Sequence, residues 1–259
     1  MPKSILYLTY DGLTDPLGQS QILPYLEGLA GLGHEITVIS FEKKQGSGLR
    51  AQGSGLNVVQ LSYHKSPPVL STLYDIFLLR REVKKVLKTQ QIQIIHCRSY
   101  ITSLVGLWAK RKYGVKFIFD MRGFWADERV EGGLWNLSSP IFRLIYGYFK
   151  KKEKQFLREA DSVISLTRNA KTEIEQNILP SGQINKSTNQ QINIQVIPTC
   201  ADLDHFDPGR VDKKRLPQIR EDLGIRPGDF VLLYLGSLGT WYMLDEMLDF
   251  YDILRTKIG

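Results

Sequence analysis

A chain of 259 residues, 42% of them hydrophobic, is long enough for one large or two medium globular domains. It contains no run of about 18 apolar residues, which excludes a membrane-spanning helix of ordinary kind. The start has neither the long apolar stretch nor the small-residue cleavage site of a secretory signal, so a cytoplasmic protein is expected. The formal charge of +7 comes without any zinc-finger or RNP-type pattern, so nucleic acid is not an expected partner.

The chain opens with an apolar strand, "SILYLTY", followed by a turn-rich loop, "DGLTDPLGQ", and a helical pattern, "SQILPYLEGLAGL". Gly33 supplies a helix stop, and "EITVISF" is the next strand. "LNVVQLSY" reads as a strand and Leu73 to Leu87 as a helix. "IQIIHCR" is a strand, "SLVGLWAKRKYG" a helix, and "VKFIF" a strand. Then comes "DMRGFWADERVEGGLW", from Asp120 to Trp135, with four acids, two arginines, two tryptophans and three glycines. A long helix from about Pro140 to Ala160 follows, then the strand "SVISL", the helix "RNAKTEIEQNI" and the strand "IQVIPTC". "LPSGQINKSTNQQINI", rich in Asn, Gln and Ser, reads as a flexible surface insertion before that last strand.

Strands alternating with helices imply right-handed crossovers and a mostly parallel, doubly wound α/β sheet covered on both faces. Ligands bind such sheets at the carboxyl ends of the strands. Those ends carry Asp11 and Gly12, His96 and Arg98, Asp120 and Arg122, and Thr167 and Arg168. Three segments are expected: a domain over 1–208, a polar, proline-containing link over 209–228, and one β-α unit over 229–259. A single β-α unit cannot close a core. It either packs onto the first domain or belongs to a truncated second one, and truncation is the favoured expectation.

Gly12 and Gly18 flank the loop that leads into "QSQ". A helix N-terminus there offers unpaired N–H groups and a positive dipole end, which suits phosphate. "GLAGLG", late in the first helix, reads as close packing rather than a dinucleotide fingerprint. His96 and Arg98 are two residues apart on a strand and so point to the same side. Asp202 and Asp204 form a D-x-D without further carboxylates in register, so no metal is expected. Cys97 and Cys200, with four scattered histidines, give no disulfide framework and no ligand spacing. The 120–135 stretch is either a site or a charged loop folded against its own domain. "LLRREVKKVLK" and "YFKKKEKQFLRE" are basic amphipathic helices, either solvated faces or surfaces attractive to anionic lipid or phosphorylated ligands.

Four segments in this order resemble GT-B glycosyltransferases of family 4. They are the opening strand, glycine loop and helix ending in "GHEITVIS"; "EADSVISLTRNAKTEI"; "IQVIPTCADLDHFDP"; and "VLLYLGSLGTWYMLDEML". The chain departs from the family pattern at Thr199-Cys200, where Asn-Gly is usual, and at Arg122-Gly123, where His-Gly is frequent. The glutamate-bearing motif of the family's second domain is absent. The resemblance implies a Rossmann-like acceptor-side domain and the start of a nucleotide-sugar domain. It implies transfer from a nucleotide-diphosphate sugar to a lipid-linked or polysaccharide hydroxyl, with retention of configuration, no metal and no cofactor beyond the donor. Arg122, Asp120 and His96 are then the catalytic candidates. Gly12, Gly18, Gln19, Ser20, Arg98, Trp125, Asp127, Glu128, Arg168, Gly236 and Ser237 are the substrate-binding candidates. A peripheral contact with the inner face of the membrane fits the basic helices. The alternatives are a non-catalytic module that binds a phosphosugar or a partner, and a sugar-nucleotide epimerase on the same scaffold.

Overall fold

The structure, a computed structural model, describes residues 1–43, 55–67, 69–179, 192–201, 203–204, 206–236, 238 and 242–258. Seven strands form one sheet: β1 Ser4–Leu8, β2 Glu35–Glu42, β3 Leu56–Ser62, β4 Ile94–Arg98, β5 Lys116–Asp120, β6 Ser162–Ser165 and β7 Ile194–Val196. Their order is β3-β2-β1-β4-β5-β6-β7, and every neighbouring pair is parallel. The helices are α1 Leu23–Gly31, entered through a wide turn at Gly18–Ile22, α2 Leu70–Thr89, α3 Ser99–Tyr113, α4 Trp125–Glu131, α5 Pro140–Glu159, α6 Arg168–Glu173, α7 Leu216–Asp222 and α8 Leu244–Ile258. The doubly wound sheet expected from the alternation is therefore present.

The strands are nearly continuous in apolar residues because both faces are covered. β1 illustrates this. Leu6 and Leu8 enter the core that includes Leu79 of α2, Val105 of α3 and Phe156 of α5. Ile5 and Tyr7 point the other way, against Leu23 and Leu26 of α1. Within the larger layer α3 packs between α2 and α5. Local signals fix the ends. Gly114 closes α3 in the left-handed region at φ 73° and bonds back to the Lys110 carbonyl. Pro140 stands in the first turn of α5. Thr167 caps α6 by accepting from the Ala170 N–H.

Two expectations change, and a third falls mostly outside the described residues. The 120–135 stretch is not all loop, since α4 forms inside it. The insertion lies mostly outside the described residues. The strand expected from Phe230 onward does not form: residues 230–236 join no sheet, and Leu235 is 89% exposed. An apolar run becomes a strand only where another strand supplies hydrogen-bond partners. The helix of the expected β-α unit forms as α8, and α7 forms within the link, because helices satisfy their backbone internally.

Candidate functional site

In this strand order the chain leaves β1 toward β2 and β3, then resumes at β4 on the other side of β1. Loops diverge at that switch, and a crevice opens beyond the carboxyl ends of β1 and β4. Six polar residues converge there from distant parts of the chain. Arg98, at the end of β4, donates from Nε to Asp11 Oδ2 at 3.1 Å and from Nη2 to Gln21 Oε1 at 3.2 Å. Arg122, just after β5, donates from Nη2 to the same Gln21 oxygen at 3.0 Å and to Thr199 Oγ1 at 3.2 Å. Its Nη1 lies 3.8 Å from Asp120 Oδ1. Two guanidiniums thus share one amide oxygen. Burial pulls the Arg122 pKa below its usual value, and Asp120 opposes that shift.

His96 is buried, with its ring centroid 4.7 Å from Tyr7 and 6.0 Å from Tyr25. Its Nε2 is 3.5 Å from Asp120 Oδ2. Neither His96 Nε2 nor Asp120 Oδ1 has a hydrogen-bond partner, and both atoms are buried. Such atoms are uncommon in folded proteins. Burial raises the pKa of both tyrosine hydroxyls, with Asp120 adding to it, so they stay protonated. Two forked cations beside hydrogen-bonding groups suit a phosphate or diphosphate attached to a hydroxyl-rich body.

The glycine loop is built from within. Leu13 N–H and Thr14 N–H donate to the Glu42 carboxylate at 2.8 and 3.2 Å. Thr14 and Ser40 hydroxyls donate to it at 2.5 and 2.6 Å. The loop N–H groups that would suit an anion therefore already hold a resident carboxylate. Gln19 donates to the Leu13 carbonyl at 2.6 Å, and Ser20 to the Pro16 carbonyl at 2.8 Å. Gly12 and Gly18 are buried, and each lets backbone approach closely. A Cβ at Gly12 would stand 2.7 Å from Glu42 Oε2, and one at Gly18 would collide with the Gly12 carbonyl and stand 2.6 Å from Leu13 Cα. Gly18→Ala is expected to cost about 2 kcal/mol through overpacking against backbone that cannot move aside. A denaturant midpoint unchanged by the substitution would refute that close approach.

In the 120–135 stretch the backbone turns sharply. Arg122 has φ 21° and Gly123 φ 144°, and the Gly123 N–H returns to the Met121 carbonyl. The Glu128 carboxylate packs on the glycine face that a Cβ would fill. Trp125 stacks on Tyr100 at 5.8 Å and meets Trp135 and Phe149 edge-on at 5.2 and 4.8 Å. Asp127 accepts from Tyr146 at 2.8 Å and Lys150 at 2.7 Å. Trp125 and Asp127 thus fasten α4 to α5, whereas the sequence alone suggests that they face a ligand. The buried aromatic neighbours explain the difference, since ring burial is more favourable than exposure.

Glu128 lines a cleft of about 460 Å³ with Met121, Phe124, Thr167 and Asn169, at the ends of β5 and β6. Burial raises its pKa, and Arg129 counters. Arg168 is exposed in the first turn of α6, and Gly236 is exposed in the tail. Neither bonds to the crevice residues, and Ser237 and Asp202 lie outside the described residues. Gln21 and Glu42 are not singled out by the sequence, and Thr199 stands out there only as a departure from the family pattern, not as a partner of Arg122. Gln21 lies 77 and 101 residues from the arginines it joins, so no local pattern could point to it.

The fold and this crevice define a Rossmann-like α/β domain of the GT-B kind. The model of Glycosyltransferase Family 4 matches residues 21–205, and the chain belongs to that family. A curated relative, the alpha-monoglucosyldiacylglycerol synthase of Streptococcus pneumoniae, is 24% identical over 177 residues, covering 67% of this chain and 36% of the relative. Among solved structures, a sucrose-phosphate synthase from Thermosynechococcus elongatus superposes with a TM-score of 0.60 at 13% identity, covering 90% of this chain and 55% of that one. Anabaena HepE, solved in complex with UDP and glucose, superposes with a TM-score of 0.58 at 14% identity, covering 95% and 56%. The structural likenesses concern the fold. The chain spans about half the length of these solved neighbours.

Proposed function

We propose that the protein transfers a sugar from a nucleotide-diphosphate donor to an acceptor hydroxyl carried by a lipid or a polysaccharide. The observation that carries this reading is the pair Arg98 and Arg122, joined through Gln21 at the switch point. In this reading the pair neutralises charge on the diphosphate as the glycosidic C–O bond breaks. Asp120 and His96, with hydrogen-bonding capacity left over, hold hydroxyls of the sugar. Family membership supports the reaction class, and the UDP complex of HepE supports a nucleotide sugar as donor. Retention of configuration and independence from metal belong to the same proposal. A phosphosugar-binding module would use the same arginines without turnover.

Equilibrium binding of UDP tests the site. UDP should bind, inorganic pyrophosphate should compete, and the Arg98→Ala, Arg122→Ala double variant should lose at least about tenfold in affinity, as expected for charge-assisted hydrogen bonds. Equal affinity in the double variant would remove the arginine pair from the site. UDP release from UDP-glucose that depends on an added acceptor separates transfer from mere binding.

A further inference from the structure

Along α2 the residues that face the core are Ser71, Asp75, Leu79, Val83 and Val86, three or four apart. Asp75 therefore stands in the inward stripe, where leucine or valine would be ordinary, and it is fully buried. A carboxylate enters such a place only with partners, and two distant segments supply them. Tyr10, two residues past β1, donates its hydroxyl to Asp75 Oδ2 at 2.7 Å. His64, two residues past β3, donates its backbone N–H to the same oxygen at 3.3 Å and reaches Oδ1 from ring Nδ1 at 2.6 Å. An ionised carboxylate only accepts, so Nδ1 carries the proton.

Replacing a buried ionic group by apolar side chains of like volume often leaves stability unchanged or higher. Stability alone thus gives little reason for Asp75, and the contacts beyond Tyr10 give one. The Tyr10 ring meets Phe41 edge-on at 4.9 Å and Tyr63 edge-on at 5.5 Å. Burial raises the pKa of its hydroxyl and the bond to Asp75 adds to that, so it stays a donor. Ring packing and hydroxyl together fix residue 10. The next residue is Asp11, whose N–H donates to Thr9 Oγ1 at 3.0 Å and whose carboxylate accepts from Arg98 Nε at 3.1 Å. The Asp11 side chain is 43% exposed. An exposed carboxylate on a free loop holds an arginine weakly, whereas one whose backbone is fastened at the preceding residue holds it in one place. With Nε on Asp11 and Nη2 on Gln21, the Arg98 guanidinium keeps a single orientation in the crevice.

We infer that Asp75 is a positioning residue for Arg98, acting through Tyr10 and Asp11, with His64 holding the carboxylate from its other side. The inference rests on the proposed function only in taking the arginine crevice as the place where ligand binds.

The Arg98 Nε–H signal in a nitrogen-correlated NMR spectrum of the full chain reads the guanidinium without any ligand, and Arg98→Ala assigns it by loss. In Tyr10→Phe, which removes one oxygen and keeps the ring, its exchange with water should quicken at least about tenfold. Asp75→Leu should do the same. Asp75→Asn should restore most of what leucine loses, because the amide oxygen still accepts from Tyr10 and the imidazole can accept from the amide N–H2. Should Asp75→Leu fail to fold, Tyr10→Phe carries the test. UDP affinity should fall about fivefold in Tyr10→Phe, as expected for one hydrogen bond, and should fall no further when Tyr10→Phe is added to Arg98→Ala. Unchanged Nε–H exchange in Tyr10→Phe overturns the inference, whether or not UDP binds. So does an equal loss of affinity from Tyr10→Phe with and without Arg98, which would make the tyrosine a support of the fold at large. If Nε–H exchange responds as expected while UDP ignores both arginines, the positioning stands and the transfer reading falls.

Discussion

Arg122→Ala should lower the transfer rate about a hundredfold in the protein as its gene encodes it, comparable to losing one preorganised donor worth about 3 kcal/mol. The melting temperature should hardly move. Arg122 makes two hydrogen bonds, to Gln21 and Thr199, and a long contact of 3.8 Å to Asp120. When it is removed, Gln21 Oε1 still accepts from Arg98, so no buried acceptor is stranded there. The remaining contact, 3.8 Å from the buried Asp120 carboxylate, is too long for a hydrogen bond, and the burial of the Arg122 guanidinium offsets its attraction. Arg122→Lys should fall between wild type and alanine, because it keeps the charge but loses the fork that reaches two partners. Measuring rate and melting on the same preparations decides the matter. A variant that melts much earlier yet transfers normally would make Arg122 a structural residue.

Glu42→Ala should have the larger effect on folding. The carboxylate is 2% exposed and accepts from two backbone N–H groups and two hydroxyls. Alanine leaves all four donors without that acceptor, at a cost of at least about 3 kcal/mol. For a chain of this size that is a fall of roughly 6–12 °C in melting temperature. The pH dependence has a definite sign. Burial pushes the Glu42 pKa up, but the Ser40 and Thr14 hydroxyls and the Leu13 and Thr14 N–H groups outweigh it, and the net shift is downward. Its stabilisation is therefore complete above the ordinary value of 4.5 and disappears as pH falls through the lower folded value. Glu42→Gln removes this part of the acid sensitivity. Acid unfolding curves that coincide for wild type and Glu42→Gln would show that the carboxylate does not carry it.

The two variants also separate site from scaffold. Glu42 fixes the loop that leads into the wide turn carrying Gln21, so its loss should loosen ligand binding together with the fold. Arg122 should affect chemistry with little change in the fold.

The sequence by itself determined the architecture, because that architecture follows from local periodicity and burial. Apolar blocks such as "VKFIF" alternate with helical patterns such as Leu73 to Leu87, which the structure shows as β5 and α2, and right-handed crossovers leave few ways to assemble them. The placement of His96 and Arg98 two apart on one strand, β4, was legible for the same reason: it depends on neighbours close in the chain. Only the tertiary structure decided how polar side chains are used. Gln21 joins arginines 77 and 101 residues away, and Glu42 reaches from β2 to hold the Leu13 and Thr14 N–H groups of the glycine loop. Trp125 turns inward because Tyr100 and Phe149 come from other elements to meet it. The apolar run after Phe230 stays out of the sheet, since strand formation depends on partners that propensity does not supply. Apolar burial is set by patterns of a few residues. Hydrogen-bond partnership is set by which distant residues the fold brings within about 3 Å.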